Sequence, residues 1–357
     1  MNHDISECII RKDTVTFDKV LPLFSDAFGP KAADALRDIW EWKYFKPPFQ
    51  FADGPRMFII ERRGIIIGFQ GMISCRIKIG PEIKPMIWAV DFAVHPRYQR
   101  QGLGIQLLKA VMKEQPDTIQ MGTPLPNAYQ LGKKLGCRDL TELISHKRIT
   151  APAPFFRRNN PLAAIGASCL FALANIVSGM SAILSRNKDL SILEADAFDS
   201  RFDQFWNEVQ DDYEAIVVRD AAYLNWRFMQ RPGNRYSVLA AMRGNKIVGY
   251  MVTRLSMSDD ISKGDIVDFL TRKNDTAAFT FLLHHAVKRL TVRKAAIISC
   301  TITPFQRPQK KVLRGNGFFV GKRISPLTFG PQGLGSDFLP KVKDWYLTLS
   351  DSDFEMI

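Results

Sequence analysis

The sequence predicts a mixed α/β protein built as two tandem copies of one domain, and three observations carry that expectation. Residues 87–94 form an apolar, β-branched run that His95-Pro96 breaks and a glycine-punctuated turn joins to residues at helical spacing. Apolar runs of strand length alternate with amphipathic runs of helix length on either side of it. A set of short motifs then recurs in order. Trp42-Lys43-Tyr44 is echoed by Trp226-Arg227-Phe228, and the hairpin around Gly68 by that around Gly249. Val90-Asp91-Phe92 is echoed by Val267-Asp268-Phe269, and Leu135-Gly136-Cys137 by Asn316-Gly317-Phe318. The offsets fall between 177 and 184, as a duplicated unit requires.

Taken in order, a short strand over 7–11 and a helix over 20–28 open the chain. Residues 31–45 have helical spacing and carry Trp40, Trp42 and Tyr44, and Pro47-Pro48 stops them. Residues 57–60 and 65–69 read as strands turned by Arg62-Arg63-Gly64, and 72–79 continues the meander. The run 87–94 is the buried central strand, with Asp91 its one charge. In the helix that follows, Ile105, Leu108, Val111 and Met112 share a face. Residues 118–122 form a further strand, Pro124-Leu125-Pro126-Asn127 opens a helix reaching Leu135, and Gly136-Cys137 ends it. The units expected are 1–150 and 191–330, joined by 151–190 and followed by a tail, 331–357. In that tail Trp345-Tyr346-Leu347-Thr348-Leu349 reads as a last strand.

Composition bounds the class. At 357 residues, 46% hydrophobic and 24% charged, the chain suits two ordinary domains. The net charge of +13 favours acidic partners, but no Lys/Arg run stands out and nothing resembles a nucleic-acid-binding module. Cys8, Cys75, Cys137, Cys169 and Cys300 are scattered and form no Cys-x-x-Cys. That pattern fits a reducing, cytoplasmic setting without a disulfide framework, and no metal is expected. Residues 162–184 hold no charged residue, which is the length and apolarity of a membrane span. Basic residues at both ends (Arg157, Arg158, Arg186 and Lys188) and the polar or small Asn175, Gly166 and Gly179 argue instead for a packed helix or one resting on the inner-membrane surface.

The strand–loop–helix unit points to an anion. The first amides of a helix have no partner inside it, and with the helix dipole they make a phosphate site. Gly102 and Gly104 let a ligand approach the backbone. The third glycine of a dinucleotide fingerprint and the Gly-Lys-Ser/Thr of a Walker loop are both missing. What is present, Gln99-x-x-Gly102-x-Gly104 after an apolar strand, resembles the acyl-CoA loop of the GCN5-related N-acetyltransferases. The resemblance implies two tandem acetyltransferase folds, with acetyl-CoA as donor. It puts the pyrophosphate on the amides of Arg100, Gln101, Gly102, Leu103, Gly104 and Ile105, and the pantetheine arm on the backbone of Phe92, Ala93 and Val94. Asn127 would lie close to CoA, and Arg97 and Arg100 can add charge near the phosphates. The second copy has Thr271-Arg272-Lys273-Asn274-Asp275-Thr276 where the loop should be, so its donor site is degenerate.

Acyl transfer to an amine requires a held thioester, a route for the ammonium proton and a stabilised thiolate. Asp91 is the first candidate base, since burial would raise its pKa. The competing reading is a structural aspartate, which Asp268 at the same place in the degenerate copy favours. His95 is the second candidate and Glu61 a third. The family's tyrosine, four residues before a Gly-Phe pair, would fall on Gly132; Tyr129, one turn earlier, is the candidate acid. The function expected is N-acetyl transfer to a small-molecule, saccharide or peptide amine in a ternary complex. The alternatives are a longer acyl donor, a non-catalytic CoA-binding module, and a structural role facing an acidic envelope polymer.

Overall fold

The computed structural model describes residues 7–114, 118–151, 189–233, 236–258, 261–329, 339 and 342–351, with 162, 165, 166, 168–173, 175 and 176 between them. The first repeat runs β1 (Cys8–Lys12), α1 (Phe17–Phe28), α2 (Pro30–Phe45), β2 (Arg56–Arg62), β3 (Ile65–Ile79) and β4 (Glu82–Val94). It continues with α3 (Leu103–Lys113), β5 (Ile119–Gly122), α4 (Pro126–Lys134) and β6 (Arg138–Ile149). The second runs β7 (Ser191–Ala195), α5 (Ser200–Val209), β8 (Ala215–Val217), α6 (Ala221–Leu224), β9 (Tyr236–Arg243) and β10 (Lys246–Ser258). It continues with β11 (Ile261–Thr271), α7 (Thr276–Val292), β12 (Ile297–Ile302), α8 (Arg307–Gly315) and β13 (Phe319–Phe329), and β14 (Trp345–Tyr346) follows. The element order repeats, as the motifs predict.

Local chemistry explains the elements that frame the site. In α1, Phe17, Val20, Leu23 and Phe24 recur at helical spacing and are buried. Gly29, at φ +90°, separates α1 from α2, and Pro30 starts α2, where a missing amide costs nothing. The strands expected at 65–69 and 72–79 are one strand, β3, because Gln70-Gly71 stays in the ladder. Gly71 is required there, since a Cβ would collide with the Tyr44 hydroxyl. The expected last strand at 345–349 is shorter: β14 gives way to a 3-10 turn over Leu349–Asp351.

Each repeat is a mostly antiparallel mixed sheet, and the two join edge to edge in a 14-stranded sheet whose main path is β1-β2-β3-β4-β5-β13-β6-β12-β11-β10-β9-β7, with β8 pairing β3 and β14 off that path. The repeats exchange their last strands. β13 pairs with β5 (Thr328↔Gly122), where β6 would close the first repeat. β6 pairs with β12 (Ile302↔Ile144 to Ile297↔Ile149), where β13 would close the second. The echoed tryptophans are both buried and meet each other. Trp42 and Trp226 stack with centroids 5.0 Å apart. Trp42 Nε1 donates to the Trp226 carbonyl at 2.6 Å, and Trp226 Nε1 to the Trp42 carbonyl at 3.0 Å. Reciprocal bonds of this kind are what a two-fold relation between repeats produces.

The first repeat's sheet has two covered faces. α1 and α2 pack on the face of Met57, Ile59, Phe69, Ile73, Val90 and Ala93. α3 packs through Leu103, Leu107 and Val111 on the face of Phe58, Ile60, Met72, Ile87 and Val94. Alternating faces along a strand account for the division. Much of 162–184 lies outside the described residues. Of those described, Ser168, Leu170 and Phe171 are half-buried in helix, while Leu162, Ile165, Leu173 and Ile176 are exposed. Among the described residues no helix is long and apolar enough to cross a membrane.

Candidate functional site

β4 and β5 run parallel from Met86↔Ile119 to Ala89↔Gly122 and then part, while β4 continues to Val94. On its other side β4 bulges. Its register against β3 passes from Gly71↔Val90 to Phe69↔Ala93, so Asp91 and Phe92 together face Gln70. Asp91 sits at φ +55°, in the left-handed region. The parted strands open a cavity of ≈ 430 Å³. It is lined by Leu108, Val111 and Met112 of α3 and also by Phe28, Ala32 and Leu36 of α1 and α2. Since those helices cover opposite faces, the cavity passes through the sheet.

The loop expected to bind phosphate sits at the head of α3. Gly102 is the N-cap, at φ +82°, and Arg100 is also left-handed, at φ +63°. Alternating left-handed residues turn successive amides toward one point. The first intrahelical bond is Gln106 N to Gly102 O, at 3.1 Å. Among the described residues, no hydrogen bond takes the amides of Arg100, Gln101, Gly102, Leu103, Gly104 or Ile105. A Cβ on Gly102 would meet only the far end of Gln106, so the space before the amides is open. Gly104 matters for packing instead, since a Cβ there would lie 3.2 Å from the Phe92 ring and 3.4 Å from Leu131. The missing side chain lets α3 lie close on β4.

Side chains around the loop hold its shape. Gln99 Nε2 donates to the Val94 carbonyl at 2.9 Å, and Gln101 Nε2 to the Arg97 carbonyl at 3.2 Å. Gln70 Nε2 donates to the Val90 carbonyl at 2.7 Å, pinning the start of the bulge. His95 Nδ1 accepts from the Arg97 amide at 3.2 Å, so its Nε2–H faces Asp26 at 2.9 Å. Arg97 and Arg100 are exposed beside the loop.

Of the four candidate proton carriers, the structure brings only Asp91 to the cavity. Its carboxylate accepts from Lys43 Nζ at 2.9 and 2.8 Å and from the Tyr44 hydroxyl. His95 lies beyond the strand end and does not line the cavity. Tyr129 half-emerges from α4, and its hydroxyl donates to Asp139 at 3.0 Å, away from the gap. That bond raises the phenol's pKa above its usual value. Gly132 and Ala128 line the cavity, and Tyr129 does not. Asn127 is exposed in the first turn of α4 and caps nothing. Glu61 accepts from Arg11 at 2.8 Å on β2 and is also absent from the cavity lining. Cys137 does line it, and burial pushes its thiol up to about 11. Among the described residues no group of His, Cys, Asp or Glu is placed to hold a metal ion.

Sequence reasoning misses Lys43, Tyr44 and Gln70. The Trp-Lys-Tyr motif marks the duplication, but nothing in its spacing signals that Lys43 reaches a carboxylate 48 residues away.

The second repeat has no glycine in the segment after its central strand, 271–276. Its bulge falls one place earlier: the register of β10 against β11 passes from Thr253↔Ile266 to Val252↔Asp268, so Val267 is the extra residue, and the pairing then holds through Met251↔Phe269 and Tyr250↔Leu270. β11 and β12 also part after Ile266↔Cys300. There the C-terminal segment bridges the strands: Thr303 Oγ1 donates to the Trp345 carbonyl at 2.8 Å, and the Tyr346 hydroxyl to the Phe269 carbonyl. Asp268 accepts from Thr348 Oγ1 at 2.7 Å, Tyr250 at 2.8 Å and Arg219 at 3.1 Å. Arg219 also pairs with Asp351, and all of these groups are buried.

Comparison with known proteins agrees with this geometry. The sequence family described as acetyltransferase (GNAT) domain matches residues 10–148. A probable N-acyltransferase from Enterococcus faecalis shares the fold, with TM-score 0.62 and 12% identity over 90% of this chain and 72% of that one. So does a GCN5-related N-acetyltransferase from Anabaena variabilis, with TM-score 0.60 and 12% identity over 90% and 72%. Saccharomyces cerevisiae N-myristoyltransferase, solved with bound myristoyl-CoA, aligns with TM-score 0.57 and 10% identity over 91% of this chain and 83% of that one. A search of curated proteins by sequence returned no match. Residues 10–148 match the GNAT domain family, and the chain as a whole shares the fold of these acyltransferase structures.

Proposed function

We propose that this protein is an N-acyltransferase that passes the acyl group of an acyl-CoA, with acetyl-CoA the donor its family implies, directly to an amine in a ternary complex. One observation supports the reading above the others: the loop with open amides at 100–105 stands beside a gap between β4 and β5 that leads through the sheet. The diphosphate takes the amides of the loop, with Gln99 holding the strand end and Asn127 at the rim. The pantetheine arm runs along Phe92, Ala93 and Val94. The units we assign are 1–150, which works, and 191–330, which supports it, each completed by the other's last strand; 151–190 links them and 331–357 holds the tail.

The amine nitrogen attacks the thioester carbon, a C–N bond forms, and the C–S bond breaks with its electron pair leaving on sulfur. Asp91 lies beside this path, but an ammonium at 2.8 Å already holds its carboxylate. We assign it to fixing the bulge, with the amine's proton lost to water. Neither His95 nor Tyr129 is given a proton to move. The rate below the acceptor's own pKa should therefore rise tenfold per pH unit, and its midpoint should shift with the acceptor chosen. A midpoint that stays put across acceptors would assign the proton to an enzyme group instead. The test of the function is thiol release from acyl-CoA across amine classes. Release that needs both donor and amine supports the reading. Binding of CoA without release for any amine would make the chain a non-catalytic module.

A further inference from the structure

We infer that the compartment on the α1–α2 side of the sheet houses an aliphatic acyl chain longer than acetyl. The inference rests on the acyl-CoA reading above. The loop at 100–105 heads α3, which packs on the Phe58, Ile60 and Val94 face. A donor whose diphosphate sits there sends its arm into the gap from that face. Room beyond the sheet serves either the acceptor amine or the rest of the acyl chain, and the chemistry of its walls decides between them. This cavity continues to Phe28, Ala32 and Leu36 on the opposite face.

The chemistry of that end suits methylenes. Its walls are carbon, and Ala32 is the small side chain among them. The one charge on the way, Asp91, is already matched by the buried Lys43. An ammonium or a sugar placed there would lose water without gaining a partner. An alkyl chain loses nothing polar, and each methylene buried strengthens binding about fourfold.

Titration calorimetry of the full chain with acetyl-, hexanoyl- and decanoyl-CoA, below micellar concentrations, tests this. Hexanoyl-CoA should bind at least about thirtyfold tighter than acetyl-CoA. Ala32→Phe should cut that gain to less than about threefold, and Ala32→Leu should reduce it in part; Ala32 is only half-buried, so the second change keeps the fold. Affinities within threefold from two to ten carbons would overturn the inference. So would a chain-length gain that Ala32→Phe leaves intact, or a flat acyl series in which longer alkylamine acceptors react faster with acetyl-CoA, since the compartment would then belong to the acceptor. Failure of every acyl-CoA to bind would overturn the donor reading itself.

Discussion

Lys43 and Asp91 bring opposite charges together in the interior: their side chains are 0% and 2% exposed. A buried pair of this kind contributes little in itself, but leaving one member alone is costly. Lys43→Met should destabilise the fold by about 3–5 kcal/mol in urea unfolding, and Lys43→Met with Asp91→Asn by clearly less than the two single changes added. Additive losses would mean that the two groups do not act as a pair. The sequence points to Asp91 as one carboxylate in an apolar strand, which is correct as far as it goes. Its partner is illegible, because Lys43 sits between Trp42 and Tyr44, which read as core aromatics, on a helix with several other charges. Buried histidines give a pH signature. Burial holds His146 and His284 below the usual histidine value. The unfolded chain therefore binds protons more readily, and their contribution to stability is present above about pH 6.5 and lost as pH falls through the folded values. The urea midpoint should be lower at pH 5.5 than at 7.5, and replacing both histidines with glutamine should shrink that difference.

At the scale of elements, the candidate site is shaped by a loop, a helix start and a bulge. Gly102→Val puts a β-branched residue at φ +82° in front of the amides. It should weaken acyl-CoA binding about tenfold or more through strain and crowding, with the fold retained. A variant that bound the donor normally would move the phosphate elsewhere. The order strand, loop, helix is legible because each part has its own local signal: β-branching, glycine, then helical period. The bulge has none. It depends on Gln70 and Gly71 of the neighbouring strand and on the Tyr44 hydroxyl, which are distant in sequence. The same reason explains Tyr129, whose direction is set by Asp139 on β6.

At the scale of the whole molecule, two copies of one fold differ in their gaps, one open to a cavity and one bridged by the C-terminal segment. The duplication is legible from repeated motifs, and Trp42 and Trp226 meet as that symmetry requires. The exchange of β6 and β13 is not, since both strands occur in sequence where an unexchanged repeat would have them. Nor does the tail's composition reveal that Trp345–Asp351 closes the second gap. One consequence is stoichiometry: a chain with one open gap should bind one acyl-CoA. The crystal structure of the protein with an acyl-CoA bound tests the central claim most directly. The account predicts one donor, its diphosphate on the amides of residues 102–105 and its arm passing between β4 and β5. A donor seated in the second repeat, or one whose phosphates avoid that loop, would contradict it.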